Sequence, residues 1–179
     1  MRRLLLLRHA KADRHSAGGD RERPLMQRGL EDARRVGEFM AKSGFTPELA
    51  VASNARRARQ TLEQALGAFP GHVAHLIENT IYNATEDHLL EILRQSPDRV
   101  ETLLVVGHNP GFSELASALA GAGDPAELKR LRMKYPTATL AVLEFSCDSW
   151  AQAAFGGATL ARFVTPADLR GEDDDEDGD

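Results

Sequence analysis

Leu4–Leu7 is four consecutive apolar residues closed by Arg8-His9, the pattern of a short strand buried on both faces. Residues 10–26 are polar and irregular, with Gly18-Gly19 and Pro24, and read as a loop. From Leu30 to Lys42 the apolar positions Leu30, Ala33, Val36, Phe39 and Met40 recur at helical spacing, and Gly44 stops the run. The alternation then repeats. Glu48–Ala52 reads as a strand, Ala55–Ala68 as a helix and Val73–Ile77 as a strand. A helix capped by Thr85 carries Leu89, Leu90, Ile92 and Leu93. Thr102–Val106 reads as a strand and Phe112–Leu119 as a helix ended by Gly121 and Gly123. Beyond Thr137 the pattern changes. Ala138–Phe145 and Trp150–Phe155 read as two strands joined by a polar turn at the sheet edge, with a further short strand over Thr159–Val164. Four strand–helix units predict an α/β fold: a three-layer α/β/α sandwich with a mostly parallel central sheet and an antiparallel edge.

Composition narrows this little. Hydrophobic residues make up 42% and charged residues 27%, ordinary for a globular chain of 179 residues, while aromatics at 6% leave the core to aliphatic packing. Charge is more telling. Taking the seven acids of residues 171–179 out of the net charge of -5 leaves +2 for residues 1–170. Residues 1–170 are therefore expected to form one slightly basic domain, and 171–179 an acidic disordered tail. Such a body suits an anionic substrate but is too weakly basic for nucleic acid. Cys147 is the one cysteine and reads as a free structural thiol, and Leu4–Leu7 is too short for a signal core or a membrane span. The expectation is a cytoplasmic protein without membrane partners.

Chemistry enters at the strand ends. In open parallel sheets, ligands bind beyond the carboxyl ends of the strands. Arg8-His9 follows the first strand, Ser53 and the cluster Arg56-Arg57-Ala58-Arg59 the second, and Gly107-His108-Asn109-Pro110-Gly111 the fourth. Arginine offers a permanently charged fork of donors that matches phosphoryl oxygens. Neutral imidazole is a good nucleophile and forms a phosphoramidate that water can cleave. A second imidazole, if protonated, can donate to the same oxygens, and the helix after Pro110-Gly111 can add free N–H groups. His15, His72, His75 and His88 lack such placement and read as structural or surface residues. No metal-ligand spacing or nucleotide loop is present, so no cofactor is expected.

At these residues the chain resembles the histidine phosphatase superfamily (phosphoglycerate mutase-like), and most of all its small SixA-type phosphohistidine phosphatases. The resemblance spans residues 3 to about 145: Leu6-Leu7-Arg8-His9-Ala10-Lys11-Ala12, Arg23-Pro24-Leu25 with Gly29, Ser53 through Arg57-Ala58-Arg59-Gln60-Thr61, and Val105 to Gly111. It implies a metal-independent phosphatase with His9 as the phosphorylated nucleophile. Arg8 and Arg57 would bind phosphate with His108, and Arg23 would line the pocket. Arg56 and Arg59 match no family position. Ala10 stands where the family has glycine, and Asn54 where proline is usual. The family's leaving-group acid has no clear counterpart; Glu78 is nearest, with Glu86 and Asp87 further on. A phosphohistidine substrate eases that need, because imidazole leaves more readily than an alkoxide. The short chain lacks the insertions that cover the site in mutases and phytases, which favours an open site able to admit a phosphohistidine-bearing protein. Two alternatives remain: a small-molecule phosphomonoesterase with the same mechanism, and a phosphate-binding module without turnover.

Overall fold

The computed structural model describes residues 1–172. Its strands are β1 (Arg2–Arg8), β2 (Leu49–Ala52), β3 (Ala74–Ile77), β4 (Thr102–Gly107), β5 (Ala120–Gly123), β6 (Leu140–Phe145) and β7 (Ala158–Val164). They form one sheet in the order β3-β2-β4-β1-β6-β7-β5. The helices are α1 (Gln27–Lys42), α2 (Arg56–Leu66), α3 (Glu86–Arg94), α4 (Gly111–Leu119), α5 (Pro125–Met133) and α6 (Pro166–Arg170).

The leucine run explains the layering. Leu4 through Leu7 are all fully buried, and successive side chains point to opposite faces. Leu4 and Leu6 pack with α3, α4 and α5 residues such as Leu89, Phe112 and Leu131. Leu5 and Leu7 pack with α1 and α2 residues such as Val36, Met40, Ala58 and Leu62. Each buried leucine contributes about 1.5–3 kcal/mol through removal from water, so this run anchors both layers at once.

The α/β/α architecture agrees with the sequence pattern, and its second half is richer than expected. β3, β2, β4 and β1 are parallel neighbours. β6 is antiparallel to both β1 and β7, and β5 then runs parallel to β7. The antiparallel strand is therefore interior, and β5 forms the edge. Trp150–Phe155 is not a strand: Trp150–Gln152 is a 3-10 turn held by a Ser149/Gln152 capping box. Trp150 is fully buried, and its indole N–H donates to Val100 O at 2.7 Å. The strand pairing with β6 is β7 instead. Gly121 and Gly123, read as helix stops, lie within β5, and the sequence pattern did not reveal α5, which starts at Pro125 on an Asp124 cap. At the C-terminus, Gly171 caps α6 and Glu172 pairs with Arg170 at 2.9 Å, so the first two residues of the expected tail are held against α6. The remainder of that tail, 173–179, lies outside the described residues.

Candidate active site

Strand register builds the site. Arg8 pairs with Gly107 in the parallel β1–β4 ladder. His9 and His108, one residue further along each strand, are thus neighbours across a spacing of about 4.8 Å, and their ring centroids lie 5.3 Å apart. Ala52 pairs with Val106 in the β2–β4 ladder, so Ser53 stands opposite Gly107, one residue before His108. Ser53 is fully buried, and its Oγ lies 2.7 Å from His108 Nε2.

The His9 ring is fixed by its own backbone. Its Nδ1 lies 2.7 Å from Ala10 O. A carbonyl only accepts, so Nδ1 carries the hydrogen and Nε2 of the neutral ring keeps its lone pair. Burial holds the His9 pKa well below the usual histidine range, and the charges of His108, Arg8 and Arg57 add to that. Ala10 N–H donates to Thr61 Oγ1 at 3.0 Å, and Thr61 donates to Arg57 O, tying the strand end to α2. On the other side, Ala138 N–H is shared between Arg8 O and His9 O. Ala138 does this at φ 56°, a left-handed conformation that costs a residue with a Cβ on the order of 1 kcal/mol.

Burial first, then Arg57, pushes the His108 pKa down to about 4, so the ring is neutral in the open site. Its Nδ1 is buried without a hydrogen-bond partner. A Ser53 hydroxyl donating to Nε2 would fix the tautomer with Nδ1–H, a donor that has no partner within the chain. The edge of the Tyr82 ring packs against His108 at 5.5 Å.

Three of the predicted arginines gather here. Arg8 Nη1 donates to Tyr135 O at 2.9 Å. Arg57 is the buried member of its cluster, whereas Arg56 and Arg59 are exposed. Arg57 donates to Asp20 O at 2.8 Å and Asp20 Oδ2 at 3.1 Å. Arg23 Nε lies 3.1 Å from Asp20 Oδ1, and its Nη1 donates to Asp13 O. A cavity of about 620 Å³ opens on Arg8, His9 and Arg23, with Lys11, Arg14, His15 and Thr137 also on its wall. His15, read from sequence as a surface residue, therefore borders the site. Gly29 closes the loop behind it: a Cβ there would lie 2.1 Å from Lys11 O.

Other expectations are corrected. The N-terminus of α4 is not an open anion site: Phe112 N–H donates to His108 O, and Ser113 N–H to Asn109 Oδ1. Glu78 caps a 3-10 turn by accepting from Thr80 N–H and Oγ1–H, which lowers its pKa, the opposite of what a general acid needs. Glu86 neighbours Glu114, whose pKa is raised by desolvation and then by Glu86. Ser53, expected at this strand end but given no role, completes the cluster with Asp20 and Tyr82, which were not singled out. Tyr82 and Tyr135 are the chain's two tyrosines, and both touch this cluster, a signal available in an aromatic-poor sequence. No group of three or more His, Cys, Asp or Glu side chains is placed to hold a metal among the described residues, and no helix there is long and apolar enough to cross a membrane.

The model of one protein family, described as the histidine phosphatase superfamily (branch 1), matches residues 4–98. The chain belongs to that superfamily. Among relatives of this histidine phosphatase, an uncharacterised protein of Mycobacterium tuberculosis is 35% identical over 162 residues, covering 89% of this chain and 99% of the relative. Two solved structures, each described as a candidate phosphohistidine phosphatase SixA, share the fold. The one from Agrobacterium tumefaciens is 29% identical with a TM-score of 0.77, covering 92% of this chain and 98% of its own. The one from Nakamurella multipartitia is 31% identical, also with a TM-score of 0.77, covering 92% and 96%. This histidine phosphatase thus has the phosphoglycerate mutase-like fold of the SixA-type structures.

Proposed function

We propose that this protein is a phosphohistidine phosphatase that works through a covalent phospho-His9 intermediate. The observation that carries the reading is the His9 ring: buried, neutral, and held by Ala10 O so that Nε2 is free to attack. Nε2 forms a bond to phosphorus as the substrate's P–N bond breaks, and the departing imidazole takes its proton from water. Water then attacks the phospho-His9 phosphorus, releasing inorganic phosphate and restoring the ring. Arg8, Arg57 and Arg23 neutralise charge on the phosphoryl oxygens, and His108 Nδ1–H donates to one of them. Three guanidinium groups meet the charge demand that a divalent cation meets elsewhere, so the reaction is metal-independent.

Two observations support phosphohistidine as the substrate. The two SixA-type neighbours are described as candidate phosphohistidine phosphatases. In addition, the Glu78 carboxylate is engaged by Thr80, and an imidazole leaving group needs little help from an acid. The test is brief incubation with a radiolabelled phosphohistidine protein, with and without chelator. An acid-labile, alkali-stable label on the enzyme, absent in His9→Ala and unaffected by chelator, is expected. Normal turnover by His9→Ala refutes the mechanism. Higher kcat/KM on small phosphomonoesters than on the phosphohistidine protein refutes the substrate.

A further inference from the structure

Asp20 lies within the arginine cluster but has no part in the reaction above. It follows Gly18-Gly19 and opens a 3-10 turn, Asp20–Glu22. Its Oδ2 accepts from Arg57 Nη2 at 3.1 Å and from the Tyr82 hydroxyl, and Oδ1 lies 3.1 Å from Arg23 Nε. Two of the three arginines proposed to bind phosphate are thus holding a carboxylate of the same chain. The open cavity reflects this, since its wall includes Arg8, His9 and Arg23 but not Arg57 or His108. Tyr82 and Arg57, the first and second favourable partners, keep the Asp20 carboxyl below its usual range, so it is ionised at neutral pH.

We propose that Asp20 is a specificity-determining residue, a tethered anion that must be displaced from Arg57 and Arg23, so that the site accepts dianionic phosphoryl groups and rejects singly charged tetrahedral ones. This inference rests on the reading of the cluster as a phosphate site. The physical argument is an exchange. A ligand with one charge replaces one carboxylate by another anion of equal charge, and it also loses the advantage of the tether, which acts as a high local concentration. It loses translational freedom as well. A dianion doubles the attraction to Arg8, Arg23 and Arg57, and the displaced carboxylate, already half exposed, passes into water at little cost. A terminal phosphoryl group on an ester or an imidazole carries that second charge at neutral pH, whereas a phosphodiester does not. Asp20 therefore sets an affinity threshold that terminal phosphoryl groups clear and internal ones do not.

Tungstate and perrhenate test this: both are tetrahedral oxyanions of similar size, the first a dianion and the second a monoanion. Binding of each is measured by titration calorimetry at mildly alkaline pH, to wild type, Asp20→Asn and Tyr82→Phe. Wild type should prefer tungstate. Asp20→Asn should bind both anions about tenfold more tightly, the scale of one charge-assisted hydrogen bond no longer competing, which brings the weaker perrhenate into range. Tyr82→Phe, which removes one of the donors holding Asp20, should tighten both by less. If Asp20 merely orders Arg57, Asp20→Asn weakens both anions and the proposal fails. Unchanged affinities also overturn it. Absence of tungstate binding to wild type instead overturns the phosphate site itself. If Asp20→Asn does not fold, the affinities of Tyr82→Phe decide.

Discussion

Acidification should destabilise this protein through His108 before most carboxylates titrate. The ring is 8% exposed, and its pKa is lowered from 6.5 to about 4, chiefly by burial. Between these values the unfolded chain binds a proton at this site and the folded one does not. Stability contributed by the neutral buried ring is therefore present above pH 6.5 and lost as pH falls toward 4. Across that window each pH unit removes about 1.4 kcal/mol, so the full span is worth about 3 kcal/mol, a large part of a typical domain's stability. Urea unfolding of wild type and His108→Asn across this range isolates the effect. His9, also depressed, titrates in both proteins; the charge of His108 is a smaller cause of its low pKa than burial. The wild-type curve should fall more steeply by about 1 kcal/mol per pH unit near pH 5. Parallel curves would refute the claim that His108 is kept neutral by burial.

Arg57→Ala should lower kcat/KM by roughly 10²–10³-fold, as loss of one preorganised donor to a transition state does. Its melting temperature should change little, because the partner Asp20 is half exposed; a folding defect with normal specific activity would contradict the assignment. Ser53→Ala should cost about 1–3 kcal/mol in unfolding free energy by removing the buried partner of His108 Nε2, and Ser53→Thr should restore part of it in the same urea assay.

The elements carrying the chemistry were legible because their signals are local. The Leu4–Leu7 run, the Val36/Met40 face of α1 and the strand-end positions of His9 and His108 can each be read within a dozen residues. What was missed depends on distance or on weak patterns. β5 is Ala-Gly-Ala-Gly, a composition that resembles a helix stop, and takes its place in the sheet from β7. α5 buries only Leu131, so it has little apolar stripe to find. Trp150 looked like a strand residue, yet it is held by Val100, fifty positions away. Asp20 is one of several acids in an irregular loop, and its role depends on Arg57 and Tyr82, 37 and 62 positions along the chain. The charge state of His108 was not legible for a related reason: burial is a property of the assembled sheet, not of the Gly107–Gly111 motif.

The acceptor that orients the His9 ring is a main-chain carbonyl, so no side-chain substitution can delete it. Residue 10 can be alanine here and glycine elsewhere in the superfamily without altering that contact, because only the backbone oxygen takes part. The restraint is inherited with the end of the strand and leaves no trace in residue identities. It also dictates regiochemistry. With Nδ1 committed to Ala10, the phosphoryl group can add only to the nitrogen farther from Cβ, so a phosphoenzyme formed as proposed carries a single positional isomer of phosphohistidine.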